Sequence, residues 1–222
     1  MQTAHFRPIY NMKTFPASAR MEADTVRARE NARKTREAAG RLFPHERWVG
    51  AQTIKLAQEG PDFAIPNGVG HIKVAKSRVT PSKKRRSVSD NDARTLAKEI
   101  RQAKVLADKD ASIFILPKMK AADGAYIHGP DALVNGTLYE FKTITGSIDK
   151  VERRFRESRE QGQNVFIRIL NPDISRQNVI RKMYNVVNDP KYTGGFEGSF
   201  VFSVRQGRDE IVYRMKIKDL KR

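Results

Sequence analysis

Residues 130–142 read Pro-Asp-Ala-Leu-Val-Asn-Gly-Thr-Leu-Tyr-Glu-Phe-Lys. Asn135-Gly136 between two apolar runs predicts a β-hairpin, because a type I′ turn needs positive φ at both central residues and these residue types tolerate it best. Side chains alternate along a strand, so Glu140 and Lys142 share one face while Tyr139 and Phe141 point to the other. With Asp131 on the first arm, two carboxylates and one ammonium can converge on one side of the hairpin. Carboxylate oxygens so spaced suit a hard divalent cation such as Mg²⁺, and a neighbouring Lys can neutralise charge developing on a phosphate group. An ordinary edge hairpin with a surface ion pair would carry the same residues, so the surrounding sequence has to decide between the two.

The chain has 222 residues, enough for one large or two small domains with a real core. Hydrophobic residues make up 39% and charged residues 31%, a balance that points to one compact domain plus polar or extended segments. A net charge of +18 implies an anionic partner, since Lys and Arg on this scale release counterions from a phosphate backbone. Nucleic acid is the expected partner and an anionic membrane surface the second choice. The excess belongs to no single tail: 18 basic residues face 9 acidic ones before Ala93, and 25 face 16 from Ala93 onward. There is no Cys, which excludes disulfides and Cys-ligated zinc. No apolar run approaches the roughly 20 residues of a membrane span, and the N-terminus has no signal-peptide core, so the expectation is a product that is soluble and cytoplasmic as synthesised.

Along the chain, residues 1–16 read as an extended arm and Ala17 to Arg41 as a helix that stops near Gly40 and Pro44. Its apolar stripe is thin, and Arg27, Arg29, Arg33, Lys34 and Arg36 make either a phosphate contact or a solvated face. Leu42, Phe43, Trp48, Val49, Ile54 and Leu56 form an apolar cluster, followed by a loop from Gly60 to Gly70. Residues 76–89 look like a flexible basic linker, which divides the chain into an N-terminal basic region (1–75), the linker (76–89) and a main domain (90–222). In that domain Asp90 or Asp92 caps a helix to about Ala107, with Leu96, Ile100, Ala103 and Leu106 at helical spacing and Glu99 beside the stripe. Residues 112–116 form a buried strand ended by Pro117. After the hairpin come a helix from Ser147 to about Gln161, with Asp149/Arg153 and Glu152/Arg156 paired on its outer side, and a strand at 165–170. A helix over 174–188 and a hairpin of strands 199–204 and 210–217 around Gly207 complete the chain. The order helix, three strands, helix, strand predicts an α/β fold whose mixed central sheet is flanked by helices.

On these residues the sequence resembles the PD-(D/E)XK nuclease superfamily: Pro130-Asp131, then Glu140-Phe141-Lys142, inside that same order of elements. Residues 99–170, about a third of the chain, are similar to the tRNA-nuclease toxin domains at the C-termini of contact-dependent growth inhibition proteins and of related phage-borne proteins. The matching positions are Glu99, Ala103 and Leu106-Ala107; Leu116-Pro117; Ala132-Leu133-Val134; Glu140 to Thr143 with Gly146; and Gln161 with Asn164-Val165. The chain departs from the pattern at Lys109-Asp110-Ala111, where a Gly usually follows the first helix. The resemblance implies that Asp131, Glu140 and the Phe141 carbonyl bind Mg²⁺ or Mn²⁺, that Lys142 stabilises the attacking water or the charge on phosphorus, that Glu99 completes the acidic cluster and that Gln161 orients Lys142 or a phosphate. It implies RNA, tRNA above all, over DNA as substrate, an acidic immunity or inhibitor protein as a second partner, and delivery to another cell or packaging in a particle.

Bland roles stand beside these: Glu99 as a solvated helix residue, and Gln161 as a side chain satisfying helix-end carbonyls. Three other functions compete with an RNA-cleaving enzyme that needs a metal. One is a DNA endonuclease of a mobile element or phage, and another a metal-independent RNase using His and Arg, for which only His128 lies near the hairpin. The third is a catalytically inactive basic nucleic-acid-binding or virion protein.

Overall fold

The computed structural model describes residues 17–56, 60–81, 88–107, 111–119, 127, 129–159, 164–189, 198–207 and 209–220. They belong to two compact units, one ending at Leu138 and the other running from Tyr139. The class is α/β, with eight described strands in mixed parallel and antiparallel pairings and helices packed on them. Among the described residues, no helix is long and apolar enough to cross a membrane.

The first unit contains α1 (Ala17–Leu42), β1 (Trp48–Gly50), β2 (Ile72–Ala75), α2 (Lys76–Val79), α3 (Asp90–Leu106), β3 (Ile113–Ile115) and β4 (Ala132–Val134). Strand β1 runs antiparallel to β2, β2 parallel to β3, and β3 antiparallel to β4 with Ile113 opposite Val134. Phe114 and Leu133 meet Ala38 and Ala39 of α1, with Phe43 and Trp48 closing the cluster. The Trp48 and Phe114 rings lie 4.8 Å apart. Strand alternation sends Ile113 and Ile115 to the opposite face, which is left for α3, packed on β2 and β3. Helix α3 buries Leu96, Ile100, Ala103 and Leu106 as its spacing predicts. Its cap is Ser89, one residue before the expected Asp90: the Ser89 Oγ accepts from the Asp92 N–H at 3.2 Å and donates to the Asp92 carboxylate at 2.6 Å.

Residues 76–79, the start of the expected linker, are helical, and Arg78 is buried. The extended arm at 1–16, Lys83 to Arg86, most of the polar stretch 118–129, His128 and Gln161 lie outside the described residues.

The second unit takes in most of β5 (Thr137–Ile144), then α4 (Asp149–Arg159), β6 (Val165–Ile169), α5 (Arg176–Val187), β7 (Ser199–Gln206) and β8 (Asp209–Lys216). Strands β5, β6 and β7 run parallel in that order, as strand-helix-strand connections require, and β8 returns antiparallel to β7 through Gly207 at φ 64°. Val151 and Phe155 of α4, Val179 and Met183 of α5, and Phe200 and Phe202 of β7 fill one continuous core. On α4 the expected Glu152/Arg156 pair forms at 3.1 Å, whereas Asp149 pairs with Lys182 of α5 at 2.9 Å instead of with Arg153.

Between β4 and β5 the turn is as the sequence predicts, with φ of 52° at Asn135 and 84° at Gly136. Gly136 has a second reason to be glycine: a Cβ there would stand 3.1 Å from the Lys34 carbonyl oxygen of α1.

Candidate active site

In the second unit, β5 holds Glu140 and Lys142 against β6, Glu140 opposite Val165 and Lys142 opposite Ile167. Two residues apart on one strand face, they bond directly, the Lys142 ammonium donating to Glu140 Oε1. Glu140 is 3% exposed, and the Lys142 side chain 21%. Lys142 thus reaches solvent while neutralising a buried carboxylate. Phe141 points to the other face and meets Phe166 edge-on at 5.7 Å, so the alternation read from the sequence holds. The backbone around Glu140 is pinned by Asn164, whose carbonyl accepts the Glu140 N–H at 2.9 Å while its side-chain oxygen accepts the Ser199 N–H at 2.9 Å. Asn164 therefore ties together the starts of β6 and β7 beside the candidate acid.

In the first unit, Glu99 is buried on α3, which removes its solvated alternative. Its partner is Arg78, Nη2 lying 3.0 Å from Oε1 and 2.9 Å from Oε2. Burial pushes the Glu99 carboxyl up to about 7; the Arg78 charge pulls it back, and the negative charge of Asp131 adds to the rise. Glu99 and Asp131 thus share one electrostatic environment. Beside them Lys118 bonds to Asp92, whose carboxyl is held below the usual range chiefly by that ammonium and then by the Ser89 hydroxyl. Asp131 itself is half-buried just before β4, and its carbonyl accepts the Leu116 N–H at 2.9 Å.

The donors in both units are carboxylate oxygens, the chemistry a hard cation takes. Glu99 Oε2 is buried 2.9 Å from the Arg78 guanidinium and accepts no hydrogen bond. Among the described residues no group of three or more Asp, Glu or His side chains is placed to hold a metal. In kind, the carboxylates of each unit suit Mg²⁺ or Mn²⁺. Sequence reasoning missed Arg78, hidden in a stretch of cations that composition assigns to a linker. It had Asn164 by resemblance alone, with no role attached.

No protein-family model matches the chain, and no curated protein or solved structure matches it either.

Proposed function

We propose that the chain is a divalent-metal-dependent endonuclease of the PD-(D/E)XK kind, acting on RNA, tRNA above all. The observation that carries this reading is the Glu140–Lys142 pair: a buried carboxylate compensated by a lysine whose side chain is partly exposed, on the strand where the Glu-x-Lys signature requires both. Asp131, Glu140 and the Phe141 carbonyl would hold Mg²⁺ or Mn²⁺. When bound, the ion supplies Lewis-acid charge and a water of lowered pKa. Lys142 offers a positive charge to the reacting phosphate, and Asn164 keeps the β5 backbone in register under both side chains. Glu99, buried against Arg78 and in the field of Asp131, would complete the acidic cluster. Gln161 keeps its proposed role of orienting Lys142 or a phosphate.

The net charge of +18 supports nucleic acid as the partner. A nuclease so charged endangers the cell that makes it, so a small acidic inhibitor protein, or sequestration before delivery, belongs to the same proposal. The second reading, a catalytically inactive nucleic-acid-binding protein, draws on the fact that Glu140 and Glu99 are each already paired with a cation of the chain. Incubating the protein with tRNA, rRNA and plasmid DNA, with Mg²⁺ and with EDTA, separates the readings. Cleavage that EDTA abolishes is the expected result. Cleavage that survives EDTA, or binding without turnover in either Mg²⁺ or Mn²⁺, would overturn the proposal.

A further inference from the structure

We infer that Arg78 is a positioning residue, whose single side chain fixes the places of both Glu99 and Asp131 for the nuclease chemistry proposed above, the reading on which this inference rests. Arg78 is 8% exposed, in the one-turn helix α2. Its guanidinium spreads two arms: Nη2 to Glu99 of α3, and Nη1 to the Leu116 carbonyl just beyond β3 at 3.0 Å. The same Leu116 donates its N–H to the Asp131 carbonyl at 2.9 Å. One planar fork therefore holds Glu99 directly and, through a single residue of backbone, the main chain of Asp131.

A buried ion pair contributes little net stability, because desolvating both charges offsets most of their attraction. What a planar fork of donors supplies is orientation, which an ammonium cannot reproduce at two acceptors set apart. The arrangement at Glu99 also leaves something for a ligand. Arg78 Nη2 donates a hydrogen bond to Oε1 at 3.0 Å and lies 2.9 Å from Oε2, which is buried and accepts no hydrogen bond. Arg78 is thus placed to set the direction of a carboxylate without consuming it.

The test uses the full chain and three readouts: Mn²⁺ binding, kcat and KM for RNA cleavage, and amide hydrogen exchange at Leu116 in the metal-free protein. Arg78→Met keeps the stem and removes the fork; Arg78→Lys keeps stem and charge and carries the test if Arg78→Met does not fold. Supporting groups of this kind typically carry about a 10- to 100-fold effect on metal affinity or activity. We expect a loss of that size in Mn²⁺ affinity and in kcat with KM for RNA unchanged, and faster exchange at Leu116. Arg78→Lys should recover only part of the loss. A folded variant with wild-type Mn²⁺ affinity and kcat overturns the inference, and faster Leu116 exchange alongside those wild-type values does too, since Arg78 would then serve the fold alone. A wild-type protein that neither binds Mn²⁺ nor cuts RNA removes the nuclease reading and this inference together, whereas a wild type that cuts beside an unaffected variant removes only the latter.

Discussion

An ionised Glu140, buried as deeply as it is, needs a positive charge at hand, and Lys142 supplies one from the same face of β5. The two side chains therefore have separable parts in the proposed chemistry. Glu140→Gln keeps the volume and one carbonyl oxygen for Lys142 but removes the ligand's charge, so cleavage should fall by at least about 100-fold while the fold stands. Asp131→Asn should behave in the same way. Lys142→Met leaves the carboxylate in place and deletes the charge meant for the transition state, so cleavage should fall by about 10²- to 10³-fold with Mn²⁺ binding retained. Single-turnover cleavage and Mn²⁺ titration of the three variants, with circular dichroism to follow folding, check these expectations. A Glu140→Gln protein that cuts at the wild-type rate would end the assignment of this hairpin as the site.

The strands β6, β7 and β8 are cross-linked by side chains in a way that pH can read. Arg168 of β6 grips Glu210 of β8 with Nε at 2.9 Å and Nη2 at 2.8 Å, and the Ser203 hydroxyl of β7 donates to the same carboxylate at 2.6 Å. Burial alone would raise the Glu210 pKa, but the Arg168 charge and these hydrogen bonds outweigh it and hold the group below its usual range. With the folded value under the unfolded one of about 4.3, the stabilisation is complete above that pH and disappears as pH falls through the folded value. Urea unfolding of the wild type should thus weaken with acid below about pH 4.3, and Glu210→Gln should be less stable at neutral pH with a flatter profile in that window; equal slopes for the two would remove Glu210 from the account. Elements with a full period were legible in the sequence. The α3 stripe, the apolar run of β3, the Asn-Gly turn, and the order α4, β6, α5 with the closing hairpin all declare themselves by spacing or turn chemistry. Strands β1 and β2 did not, because three or four residues are too few to show alternation. Partners remote in sequence were hidden for another reason: nothing local distinguishes Lys182 from Arg153 as the mate of Asp149, or a buried Arg78 from the solvated cations around it. Of the candidate site, the sequence named Asp131, Glu140, Lys142 and Glu99, but not the arginine that holds Glu99.

At the scale of the whole chain, the 43 Lys and Arg overstate what is available to a ligand, and the surplus of +18 already discounts those matched by acids. Arg33 is committed to Glu30 and Glu37, Arg78 to Glu99, Arg168 to Glu210, and Lys182 to Asp149 and Glu152. Cations in excess of the acids displace counterions from a phosphate backbone, and the salt dependence of binding counts those that do. For a protein that neutralises Z phosphates, log K falls against log salt with a slope of about −0.7Z on single strands and about −0.9Z on duplex. Glu140→Gln allows the measurement without cleavage, and its affinity for tRNA should fall steeply and linearly on that plot between about 50 and about 200 mM salt. Adding Lys142→Met to it should shallow the slope by no more than about one phosphate's worth, since Lys142 is a single charge whose part lies at the reacting group. Fluorescence anisotropy with labelled tRNA across that salt range gives both numbers. An affinity that does not change with salt would mean that the positive surplus meets no phosphate, and the nucleic-acid reading would fail whatever the fate of the metal site.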